Sequence, residues 1–195
     1  MCNFLVIALA LISFTAIADT KLGITGSLVY NTSETDELNG TSVDEGSEVS
    51  FGAGVRALMG INDQLFFRSG AGIIQKKWSY EASATGVNGS ADYTMLYFAI
   101  PATLYWKASP QVGLFGGTSL QAKLSDDCKG SGSFSGNSCD LKKQKSIVLP
   151  AVLGFDFAFT DQISMELSYE YAIMDTAKDV KVSSGFVSLV YNLPN

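Results

Sequence analysis

The sequence predicts an all-β protein: an eight-stranded antiparallel up-and-down transmembrane β-barrel. Three observations carry that expectation. Apolar residues alternate with polar or small ones at period two, segment after segment, most cleanly from Tyr93 to Leu124. The segments run to about ten residues, the length a β-strand needs to cross a bilayer. The connections alternate long and short, which sorts loops to one end of a barrel and turns to the other.

The central hairpin shows the pattern best. In 93–106 every even position from Leu96 is apolar: Leu96, Phe98, Ile100, Ala102, Leu104, Trp106. After a short break at 107–111, Val112, Leu114, Leu120, Ala122 and Leu124 share one face, with Gly116 and Thr118 between them. Gly113, Gly117, Ser119, Gln121 and Lys123 take the other. Strict alternation marks a strand whose faces meet different solvents.

Bulk composition agrees. The 195 residues are 47% hydrophobic and 16% charged, yet no run approaches the ~18 consecutive apolar residues of a spanning helix. A net charge of −6 argues against a nucleic-acid role, which needs clustered positive charge.

Residues 1–18 read differently. Phe4 to Ile12 is an apolar core, and Ala16-Ile17-Ala18 is a cleavage motif before Asp19. This predicts a secretory signal peptide over 1–18 and a barrel domain over 19–195. No Lys or Arg precedes the apolar run, a departure from the usual pattern.

In chain order, the first strand is 20–30, with Leu22, Ile24, Leu28 and Tyr30 on one face. A polar, acidic loop spans 31–48. Strand two, 49–59, sets Val49, Phe51, Ala53, Val55, Ala57 and Met59 against Ser50, Gly52, Gly54 and Arg56. After a short turn at 60–63, strand three covers 65–77. Its pattern blurs at Ile73-Ile74 and Lys76-Lys77, which admits a bulge. Loop 81–92 leads to the central hairpin, and loop 125–145 follows it. Strand six (147–159) aligns Ile147, Leu149, Ala151, Leu153, Phe155, Phe157 and Phe159, with Val148, Pro150, Gly154 and Asp156 opposite. Strand seven (163–173) sets Ile163, Met165, Leu167, Tyr169, Tyr171 and Ile173 against Ser164, Glu166, Ser168 and Glu170. A shorter loop at 175–181 precedes the last strand, with Val187, Leu189, Tyr191 and Leu193 on one face. Both termini then share the end with the short turns.

Every mid-strand charge lies opposite the large apolar face. An arginine on lipid costs several kcal/mol, so these charges are assigned to the lumen and the Leu/Phe/Ile face to outer-membrane lipid. If the turns keep the faces aligned, Arg56 stands opposite Arg68 and Asp156 opposite Glu166. Like charges directly opposite are unfavourable, so the arginines are expected to meet the acids across the lumen. That predicts a charged plug of Arg56, Arg68, Asp156 and Glu166, with Glu170 and Lys123 assisting; the alternative is separate hydration in a wet lumen. Aromatics near strand ends (Tyr30, Tyr93, Trp106, Phe159, Tyr191) suit interfacial girdles, and Lys76, Lys77, Lys142, Lys143 and Lys145 are placed near the external rim.

Cys128 and Cys139 share one Gly/Ser-rich loop. In an exported chain that pair predicts a disulfide, contributing about 3 kcal/mol. There is no histidine and, once 1–18 with Cys2 is removed, no further thiol, so no metal site and no cofactor is expected.

Leu96 to Pro101 with Tyr105-Trp106, Gly113 to Gly117, Leu153 to Phe157 and Leu167 to Tyr171 together resemble the outer-membrane β-barrel domain of the PorT and OmpX-like group. The resemblance covers nearly the whole mature chain, and its motifs encode strands and turns. It implies a structural, adhesive or accessory surface protein. The final strand departs from the family's usual ending, closing on Tyr191-Asn192-Leu193-Pro194-Asn195 instead of a terminal aromatic.

The expected function is a small, non-enzymatic outer-membrane barrel with periplasmic termini, whose loops 31–48, 81–92 and 125–145 contact a surface ligand or protein partner. A lipid-modifying enzyme is the alternative, but no nucleophile constellation is present. A narrow diffusion pore is the other, although eight strands leave little lumen.

Overall fold

A computed structural model describes residues 20–35, 42–84, 87–132, 145–176 and 180–194. The strands are β1 (Thr20–Thr35), β2 (Ser42–Gly60), β3 (Leu65–Ala84), β4 (Val87–Lys107), β5 (Val112–Gly130), β6 (Ile147–Val148), β7 (Ala151–Ala158), β8 (Ile163–Tyr171) and β9 (Val180–Asn192). Each of β1 to β5 pairs antiparallel with the next, and β7, β8 and β9 likewise. The pairs β5–β7 and β9–β1 complete the ring. β6 and β7 both pair with β5 and are two pieces of one strand, so the ring has eight strands.

The break falls at Leu149-Pro150, because proline has no N–H to give the ladder. The Pro150 carbonyl still accepts, from Ser119 N at 3.2 Å and Thr118 Oγ1 at 2.9 Å. The expected uninterrupted strand over 147–159 is corrected to this extent.

Closure has a measurable stagger. Partners followed around the ring from Thr20 are Met59, Phe67, Leu104, Gly116, Leu153, Tyr169, Gly185 and then Tyr30, ten residues further along β1. That offset tilts the strands and lets an eight-stranded ring close around a side-chain-filled interior.

The two faces differ as their solvents require. Leu153 is 72% exposed on the outer wall, whereas Arg56 and Glu166 are 4% and 3% exposed inside. Tyr30, Trp106, Phe159 and Tyr191 lie on the outer wall, but Tyr93 does not. It is buried inside and stacks on Trp78, ring centroids 5.5 Å apart, because it shares the odd-numbered inward face of β4.

Several strands are longer than the alternation suggested. β1 continues to Thr35 and β2 starts at Ser42, inside the expected loop 31–48. β3 and β4 run into the expected loop 81–92 as a hairpin, β5 reaches Gly130, and β9 begins at Val180. Beyond the apolar belt these extensions are rich in Ala, Ser, Gly and acidic residues, a composition that reads as loop. The backbone groups still pair across the ladder, which satisfies them.

Two registers differ from the sequence reading. Arg56 pairs with Gly70, and Arg68 with Leu58. The turn is longer than assumed: Ile61 N and Asn62 N donate to Leu65 O, and Asn62 Oδ1 accepts from Gln64 N and Leu65 N. The slip is by two residues, so both arginines keep their face. The bulge lies in β2, where the register shifts between Ser47 and Gly52. The extra residue is therefore opposite the blurred stretch of β3, not within it.

Candidate functional site

The lumen is organised as two ion-pair tiers. The lower one, nearer the short turns, joins β2, β3, β7 and β8. Arg56 Nη1 donates to Asp156 Oδ2 at 2.6 Å and to Glu166 Oε1 at 2.5 Å. Its Nη2 donates to Asn192 Oδ1 at 2.6 Å. Arg68 Nη2 donates to Glu166 Oε2 at 2.6 Å, and its guanidinium lies 4.2 Å from the Phe115 ring centroid. Asp156 and Glu166 are directly paired on β7 and β8. Two acids side by side are tolerable only because two guanidinium groups face them across the barrel.

Glu170 does not join these four. Its Oε2 accepts from Lys76 Nζ at 3.1 Å and from Gln121 Nε2 at 2.7 Å, forming a separate upper tier. Lys76, expected at the external rim, is instead 2% exposed inside the barrel. The signal was available: Lys76 has the same parity as Arg68 along β3, whereas its neighbour Lys77 does not. Lys123 pairs instead with Asp126 at 2.8 Å, towards the loop end of β5.

Apolar side chains close the lumen around both tiers. Leu58, Tyr105, Phe115 and Val152 pack beside the lower one, with Phe66 against them. Trp78, Tyr93, Met95, Tyr97, Val148, Val180 and Val182 form a larger cluster at the upper one, with Cys128 packed against it. Between the tiers the lining is small, including Thr25, Ser27, Gly54, Gly72, Ser119 and Ser188, and leaves a cavity of about 110 Å³. That volume has room for several waters. Below the lower tier a vestibule of about 380 Å³ opens among the short turns.

Cys139 and Lys142, Lys143 lie outside the described residues, as do 1–18. Among the described residues no group of three or more His, Cys, Asp or Glu side chains could hold a metal ion.

A closed antiparallel ring, apolar outside and ion-paired within, defines a transmembrane β-barrel. Residues 4–192 match the family model of the outer membrane protein beta-barrel domain, and the chain belongs to that family. Its place is accordingly the bacterial outer membrane. No curated protein matches the chain. Among solved structures it is similar to the outer membrane protein OprG of Pseudomonas aeruginosa, at 14% identity and a TM-score of 0.54, covering 90% of this chain and 96% of that one. It is also similar to Ail, the attachment invasion locus protein of Yersinia pestis, at 14% identity and 0.48, covering 90% and 99%. Neisserial surface protein A matches at 16% identity and 0.46, covering 90% and 98%. The likeness to OprG concerns the fold alone.

Proposed function

We propose that this protein is a non-enzymatic surface barrel with an occluded lumen, which acts through its loop end. The observation that carries the reading is the filling of the lumen. Two ion-pair tiers and two apolar clusters occupy the interior, while paired strands extend past the outer apolar belt. Those extensions and the adjoining segments, within 31–48, 81–92 and 125–145, are the surface offered to a ligand or protein partner. The short turns and both termini face the periplasm in this reading, since long connections belong outside.

Removal of 1–18 and a Cys128–Cys139 disulfide are part of the same proposal. The disulfide would restrain the 125–145 segment against the cluster that Cys128 packs on. Mass spectrometry of the exported chain tests both, with Asp19 as the new N-terminus and a mass loss of about two daltons on oxidation.

Deletion of residues within 131–144 tests the surface role. Whole-cell binding to host or abiotic surfaces should fall, while heat-modifiable gel mobility and membrane insertion persist. Unchanged binding in every such assay counts against it. Planar-bilayer recordings test occlusion: the wild type should hold a baseline free of steady conductance. A stable open level favours a narrow pore instead.

A further inference from the structure

We propose that the vestibule at the turn end is a binding site for a small zwitterion of the α-amino acid class. Its ammonium group would rest on Asp156 and Ser164, and its carboxylate would face Lys21 and Lys107. The vestibule is about 380 Å³, within the size of small-molecule sites. It lies beneath the lower tier, so the proposal is independent of what the loop end contacts.

The floor carries two unmet polar atoms. Asp156 Oδ2 accepts from Arg56, but Asp156 Oδ1 has no partner, and neither has Ser164 Oγ. Both residues line the vestibule and are buried, 4% and 1% exposed. Buried polar atoms are nearly always hydrogen-bonded in native proteins. Arg56 as placed does not supply the missing donor: Nη1 serves Asp156 Oδ2 and Glu166, and Nη2 serves Asn192. Asp156 pairs with Glu166 and Ser164 with Ala158, which makes Asp156 and Ser164 diagonal neighbours across β7 and β8. Diagonal neighbours lie about 7–8 Å apart, with Cβ atoms somewhat closer, a gap that one group with several donors can bridge.

An ammonium suits this floor. A carboxylate oxygen only accepts, a hydroxyl accepts as well as donates, and an ammonium has three N–H donors. The rim carries two lysines and one acid, Asp161. Lys21 on β1 and Lys107 on β4 line the same vestibule and form no ion pair among the described residues. Two unmet acceptors on a floor where Arg56 already pairs with Asp156, below a rim with two lysines, suit a ligand that enters ammonium first and leaves a carboxylate at the mouth. A plain amine would forgo the rim lysines, and a plain carboxylate, which only accepts, would leave both floor oxygens unmet.

Nuclear magnetic resonance titration of the protein in detergent micelles tests this with glycine, methylammonium and acetate. Glycine should give saturable shifts at Ser164 and Asn192, methylammonium weaker ones at the same residues, and acetate none. Ser164→Ala removes a hydroxyl with no internal partner, so the fold should be untouched while the glycine Kd rises about tenfold, the scale of one hydrogen bond to a charged group. Lys21→Gln with Lys107→Gln should weaken glycine and leave methylammonium unchanged. Absence of saturable glycine shifts overturns the site. So does acetate binding as well as glycine, or an S164A titration identical to wild type.

Discussion

Arg56 on β2 and Glu166 on β8, 110 residues apart in the chain, meet across the lumen at 2.5 Å. Glu166 also takes Arg68 at 2.6 Å through its other oxygen, so one carboxylate links two strands to a third on the far wall. Asp156 contributes a single contact, to Arg56. The tier is therefore asymmetric, and its members should not be equally costly to remove.

Glu166→Gln leaves two guanidinium groups short of one charge in a nearly dry interior. Breaking one side of a buried pair typically costs 3–5 kcal/mol, roughly. Urea unfolding in detergent micelles should show a loss of that order for E166Q. Asp156→Asn should lose less, because Arg56 keeps Glu166 and Asn192.

The upper tier offers the complementary test. Lys76→Met alone strands Glu170, whose remaining donor is Gln121, and should destabilise strongly. Lys76→Met combined with Glu170→Leu replaces the pair by apolar volume next to an apolar cluster. The double variant should come out near wild type or about 1–4 kcal/mol more stable. A double variant no better than the single would show that the pair organises the upper lumen beyond its own charge.

Close strand approach leaves no room for a side chain at Gly70. A Cβ on Gly70 would sit 2.1 Å from the Val55 carbonyl oxygen, which is backbone and cannot swing aside. Gly26, on the outer face of β1, has nothing within 4 Å of a Cβ. Gly70→Ala should lower the temperature at which gel mobility shifts, whereas Gly26→Ala should leave it unchanged or raise it slightly.

The outer wall makes its own demand. Leu153 lies mid-strand on β7 and is 72% exposed. In water an arginine there would matter little; in hydrocarbon it costs about 2–4 kcal/mol near the midplane. Unfolding titrations of Leu153→Arg in lipid vesicles should show that loss. A neutral result would place this wall outside the hydrocarbon.

Much of this architecture was legible in the chain itself. Parity along each strand is a local property, so the inward placement of Arg56, Arg68, Asp156, Glu166 and Glu170, and the outward placement of Leu153, follow from counting residues by twos. Three short turns and the proline-bearing strand could be read the same way. Strand ends could not, because the Ala, Ser and Gly residues in the upper parts of β3 and β4 have the composition of a loop. Tyr93 is expected on the girdle from its nearness to a strand end, yet its parity places it on the inward face.

What the sequence by itself determined is the set of faces: which side chains meet lipid, which meet the lumen, and that eight such strands must close. Which inward charges touch was decided only by tertiary structure. Partnership across a barrel depends on the accumulated stagger of every pair around the ring, and that stagger depends on turn lengths and bulges. The longer turn at Asn62 and the bulge in β2 each shift one wall against its neighbours. The division of the charges into a lower tier on Glu166 and an upper tier on Glu170, with Lys76 drawn inside, is the sum of those shifts.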